Sequence, residues 1–188
     1  MELSKNEQER LQRLKDARHR KIKKVVVWLA VLAVSAALIY GLVKWSKQAA
    51  QNKPGQAIAD LGREHIAVGS DRPEYNSNPP TSGPHYAVPA NWGIYDEPLP
   101  DEQLVHNLEH GGIWISYRDA GDQEAVNKLK SVADDFTIKV ILTPRPENDS
   151  RIAVAAWGRL LKLADFDEQQ IRDFIGAFIN RGPEQTPY

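Results

Sequence analysis

A chain of 188 residues with no cysteine excludes a disulfide framework, a thiolate metal site and a cysteine nucleophile. Its net charge of −1 conceals two opposed parts: residues 1–24 carry nine Lys/Arg against four Asp/Glu, a net of +5, and residues 54–188 carry twelve against twenty-one, a net of −9. The acidic part repels phosphate backbones, which argues against nucleic acid as a partner, and it draws in cations.

Val25–Val43 is nineteen residues without a charge. At about 1.5 Å per residue that run approaches the roughly 30 Å hydrocarbon core of a bilayer. Trp28, Tyr40 and Trp45 lie near its ends, where amphipathic rings settle at the lipid–water boundary. Arg18, Arg20, Lys21, Lys23 and Lys24 crowd the N-terminal flank, against Lys44 and Lys47 on the other. The positive-inside bias therefore predicts a cytosolic N-terminus, a single pass through the plasma (inner) membrane and an extracytoplasmic C-terminal domain. No A-x-A cleavage pattern lies directly after the run, so an anchor is expected rather than a signal peptide. Residues 4–22 place Leu11, Leu14, Ala17 and Ile22 among many charges, the pattern of a helix continuing out of the membrane.

The expected organisation is a basic cytosolic tail over 1–24, the span over 25–43, a linker over 44–56 and one domain over 57–188. That domain is large enough for a single core. Glu64–Val68 reads as a short strand. Asp71–Pro100 is dense in proline, with turn pairs such as Asn78-Pro79 and Ser82-Gly83-Pro84, and predicts a long structured loop whose Tyr75, Tyr86, Trp92 and Tyr95 need burial. Asp101–His110 predicts a short helix capped by Asp101 and ended by Gly111-Gly112. Ile113–Tyr117 alternates as a strand does. Asp122 caps a second helix with an apolar stripe from Ala125 to Phe136. Ile138–Thr143 reads as a buried strand and Ile152–Trp157 as its hairpin partner. Phe166, Asp167 and Gln170 then open a last helix, with Ile171, Phe174, Ile175, Phe178 and Ile179 on its core face and Gly182-Pro183 stopping it. The class predicted is α+β (or α/β), a mixed sheet with packed helices; β-α-β-β-α from Ile113 onward would suit a thioredoxin-like half-sheet.

The histidines are unevenly spread: His65, His85, His106 and His110 fall in the first half of this domain, and none follows. On a helix, the His106/His110 spacing stacks both rings on one face, with Glu109 about 60° round from His106 and Leu104 and Leu108 on the opposite side. His85 on the proline-stiffened loop would bring a third imidazole and His65 a fourth. Three imidazoles with an open position suit a transition-metal ion, zinc or copper foremost. With Met1 as the one methionine, the chain lacks the soft ligands of a dedicated copper(I) site. The plain alternative is a polar helix face. His106-Asn107-Leu108-Glu109-His110 also fits the H-x-x-E-H pattern of inverzincin peptidases, but those enzymes take a carboxylate from a distant helix, and Glu184 sits in a proline-rich tail.

Pro79-Pro80-Thr81-Ser82-Gly83-Pro84-His85-Tyr86, together with Leu104-Val105-His106-Asn107-Leu108-Glu109-His110-Gly111-Gly112 and the strand ending at Tyr117, resembles the bacterial family catalogued as domain of unknown function 3105. The resemblance covers His65 to the last helix. It implies an exported or membrane-tethered domain and carries no biochemical role. Three functions stay open on these residues. One is metal binding through His85, His106 and His110 with His65 or Glu109 assisting, for metal handling or support of a membrane enzyme. A second is a metal-dependent hydrolase with Glu109 as general base. The third is a structural accessory subunit of a membrane protein complex, whose histidines merely brace the loop.

Overall fold

The computed structural model describes residues 5–51, 53–71, 73–136, 138–184 and 186; along the first helix it describes the side chains of 13, 15 and 18–44. Two compact units divide the chain, 1–52 and Lys53–Tyr188.

The first unit is helix α1, Lys5–Gln51. Within it Arg18–Lys44 is long and apolar enough to cross a membrane, and its apolar side chains, Trp28 and Tyr40 included, are exposed. The helix runs on through residues 44–51, where a linker was expected, because nothing before Pro54 interrupts it. Leu11, Leu14, Ala17 and Trp45 lie outside the described side chains.

The second unit is a sheet-and-helix domain. Its elements are β1 Gln56–Ala57, β2 His65–Ile66, β3 His85–Tyr86, β4 Gly93–Ile94, α2 Asp101–Glu109, β5 Ile113–Tyr117, α3 Gln123–Asp134, β6 Val140–Pro144, β7 Ile152–Ala156, β8 Arg159–Leu163 and α4 Glu168–Phe178. A mixed six-stranded sheet runs β1-β8-β7-β5-β6-β4, and β2 pairs with β3 in a separate parallel ribbon. Strand β5 is central, parallel to β6 across α3 and antiparallel to β7. Both faces of the sheet are covered, so β5, β6 and β7 are buried along their whole length. On one face Ile113, Ile115, Leu142 and Val154 pack with Val126 and Leu129 of α3 and with Ile171 and Phe174 of α4. On the other, Trp114, Ile141, Ala153, Ala155 and Leu160 meet Leu104 and Leu108 of α2.

The caps explain two of the helices. Asp122 accepts from the Ala125 amide at 3.3 Å, and Asp167 accepts from the Gln170 amide at 3.0 Å. Asp101 is not the cap expected of it: Pro100 occupies that position, and the Asp101 carboxylate takes two bonds of 2.8 Å from the Arg145 guanidinium. The pairing expected between the strands around residues 138–143 and 152–157 is corrected as well. Strand β7 lies against β5, and its hairpin partner is β8, which carries no clear sequence signal.

Candidate metal centre

Local structure delivers each imidazole by a different route. In the β2–β3 ribbon His65 stands in register with His85, and the His85 amide donates to the Glu64 carbonyl at 2.9 Å. The turn before His85 depends on Gly83, whose φ of +119° disfavours any side chain and whose open face is filled by the Tyr75 ring. The Tyr75 hydroxyl donates to the Pro84 carbonyl at 2.7 Å, fixing the loop from outside. In α2, Leu104 and Leu108 are sealed into the core, which turns His106 and Glu109 to the opposite side. Asn107 ties this helix to the proline-rich loop in both directions: its Oδ1 accepts from the Ala90 amide at 2.9 Å and its Nδ2 donates to the Ala90 carbonyl at 2.8 Å. The helix ends at His110, followed by Gly111 at φ +78°.

The five candidate residues fall into two overlapping groups, and the expected trio of His85, His106 and His110 is not one of them. His85 is fully buried, His106 and Glu109 nearly so, while the side chain of His110 is 16% exposed and that of His65 50%. Ring centroids of His65 and His85 are 4.9 Å apart, those of His85 and His106 5.1 Å, and those of His106 and His110 4.5 Å. One ligand atom each from His65, His85 and His106 lie within 4.8 Å of one another, and so do those of His106, Glu109 and His110. Two tetrahedral ligands with bonds of about 2.0–2.1 Å stand about 3.3–3.4 Å apart, so each trio must draw inward to that spacing to hold an ion.

The hydrogen bonds set the tautomers. His85 Nδ1–H donates to the Gly83 carbonyl at 2.8 Å, and His106 Nδ1–H donates to the Tyr86 carbonyl at 2.6 Å. Both rings therefore turn Nε2 into the cluster. There His85 Nε2 meets Glu109 Oε2 at 3.0 Å, and His106 Nε2 meets His110 Nε2 at 3.1 Å. Each of these contacts requires one proton between two atoms that otherwise both present lone pairs. Burial holds the His106 imidazole below its ordinary value; the Tyr86 carbonyl opposes this, and the neighbouring His110 and His85 add to the lowering.

Three contributors carry no sequence signal of their own. Arg63 brings Nε to 3.8 Å from Glu109 Oε1. Lys139, almost wholly buried, donates from Nζ to the His110 carbonyl at 2.9 Å, and burial pulls its ammonium below the ordinary lysine range. Glu184, set aside on sequence because of its proline-rich surroundings, has Oε2 3.8 Å from His110 Nε2. Asn107, by contrast, lies inside the motif and could have been suspected from it.

A family model described as "Protein of unknown function (DUF3105)" matches residues 67–187, which takes in His85, His106, Glu109 and His110 and stops just short of His65. No curated protein and no solved structure matches the chain.

Proposed function

The chain belongs to the family of proteins of unknown function DUF3105, and we propose that it is a membrane-anchored, extracytoplasmic domain that binds one transition-metal ion through its histidine cluster. The observation that carries this reading is the pair of ring-to-carbonyl bonds, from His85 Nδ1 to Gly83 and from His106 Nδ1 to Tyr86. Metal-ligating histidines characteristically give their second ring N–H to a backbone carbonyl or carboxylate, which fixes the tautomer and aims the lone pair. A metal arriving between His106 and His110 takes over the bridging proton's position and releases it.

The two trios share His106, which has only one nitrogen left to give. They are alternative positions for a single ion: an outer one reached past half-exposed His65, and an inner one at His110 and Glu109. Such a pair of positions suits metal handling or the loading of a membrane enzyme. Imidazole and carboxylate ligands favour zinc or copper(II) over copper(I). The anchoring helix, with its basic flank on the N-terminal side, supports a cytosolic tail and an exported domain.

Titrating the full-length protein in detergent with zinc and with copper(II) tests the reading. One equivalent is expected, and His106→Ala should weaken it by roughly 100-fold or more, since outer-shell partners alone are worth 10–100-fold. Uptake untouched by His106→Ala, or no uptake by the wild-type chain, ends the proposal. The second reading is a hydrolase with Glu109 as general base on a metal-bound water; it is favoured by a carboxylate inside the inner trio. Glu109→Gln that keeps metal binding and loses a turnover would favour it.

A further inference from the structure

The C-terminal segment after α4 folds back over the end of α2, and its backbone satisfies the carbonyls that a helix terminus leaves unpaired. The Asn180 amide donates to the Gly111 carbonyl at 2.8 Å and the Glu184 amide to the Glu109 carbonyl at 3.0 Å. Lys139 Nζ joins the His110 carbonyl, at 2.9 Å, to the Thr186 carbonyl, at 2.6 Å. Gly182 lies so close that a Cβ there would overlap the Glu109 carbonyl and the Gly111 amide. The position of Glu184 is therefore set by its own amide bond to the Glu109 carbonyl and by the bonds that hold Asn180 before it and Thr186 after it. The contact with His110 does not set it.

From this placement we infer that Glu184 is a further ligand of the inner metal position, completing a set with His106, Glu109 and His110; the inference rests on the metal-centre reading above. Its Oε2 stands 3.8 Å from His110 Nε2, a few tenths of an ångström beyond the about 3.3–3.4 Å expected of two tetrahedral ligands on one ion. It lies outside the 4.8 Å group that His106, Glu109 and His110 form, so its side chain must rotate inward to complete the set. At 54% exposure its side chain is the most open of the four, so it is the ligand that can swing away to admit or release the ion. Two imidazoles and two carboxylates make a borderline-hard set, suited to zinc, cobalt(II) or nickel(II). A carboxylate in the fourth position also fills the site a catalytic water would need. The inner position then stores or transfers its ion, and hydrolysis there requires Glu184 to leave.

Cobalt(II) is the probe that tests this, because its visible d–d bands report the ligand set. Full-length wild type, Glu184→Gln and His106→Ala are titrated with cobalt(II) in the same detergent. Glu184→Gln, an exposed and nearly isosteric change, should lower affinity roughly tenfold and alter the band shape, while His106→Ala should abolish the signal. A Glu184→Gln protein with wild-type affinity and wild-type bands, beside a silent His106→Ala, overturns the role of Glu184 and leaves the histidine centre standing. A wild-type chain that binds no cobalt(II) overturns the centre itself.

Discussion

His106 offers its neighbours a single lone pair, and its protonation state follows from where that lone pair sits. The Tyr86 carbonyl takes Nδ1–H, and Nε2 faces His110 inside a buried cluster. Burial first, then His110 and His85, hold its value below the ordinary 6.5. A group whose folded value is depressed contributes stability that is complete above its unfolded value and is lost as pH falls through the folded one. Metal-stripped protein is therefore expected to lose thermal stability as pH drops below about 6.5, the window in which the unfolded chain binds the proton more readily. His106→Asn should flatten that slope. Melting temperatures of the chelator-treated wild type and variant, taken from about pH 7.5 to 5, decide it: parallel curves would show that His106 is not the group responsible. The same depressed value keeps Nε2 available to a metal at mildly acidic pH.

At the scale of elements, α2 is the carrier of the site, and its anchorage decides how well the rings are held. Its N-terminus is tied down by Arg145, whose guanidinium grips Asp101 at 2.8 Å, bonds Asn78 of the proline-rich loop and reaches Asn148 at 2.9 Å. Asp101 and Arg145 are both buried, and removing one partner of a buried pair typically costs about 3–5 kcal/mol. Arg145→Leu is expected to destabilise the domain by about that much in urea unfolding, and to weaken metal uptake with it because the loop bearing His85 loosens. A loss below about 1 kcal/mol would mean the pair is solvated in practice. This anchorage also marks where the sequence stops being readable. The elements with local signals, Asp122 before α3 and Asp167 before α4, form where their caps predict. Asp101 carries the same signal but answers to a guanidinium 44 residues away. The short loop joining β7 to β6 suggests a hairpin, but the small residues Ala153 and Ala155 of β7 fit beside Trp114 of β5 under Leu104 and Leu108. Strand β8, covered at the sheet edge only by the two-residue β1, mixes Arg159 and Lys162 with leucines and offers no clean alternation. In the site, the four-residue spacing of His106 and His110 is local and legible. Glu184 and Lys139 reach it through tertiary contacts that no spacing encodes.

For the whole molecule, the two units set a problem of sidedness: a helix apolar enough to span a bilayer precedes an acidic domain with histidine groups that could hold a metal ion. If the positive-inside bias orients the helix, the domain faces the more oxidising compartment, and a cysteine-free chain with histidine and carboxylate ligands is suited to it, since no ligand there can be oxidised to a disulfide. The lack of cysteine also makes the orientation directly testable, because any single cysteine introduced is the sole reactive thiol. Val68 is 81% exposed in the domain, and Lys15 is exposed in the N-terminal tail. With a membrane-impermeant maleimide, Val68→Cys is expected to be labelled in intact cells, and Lys15→Cys only after the membrane is permeabilised. The reverse pattern would put the cluster in the cytosol, where glutathione and metal-buffering thiols compete for the ion, and the export half of the proposed function would fall. Labelling of both positions in intact cells would show that the helix does not span. A high-salt wash completes this experiment: an anchored chain stays with the membrane pellet, because the helix is held by burial of apolar surface in lipid, which salt does not screen.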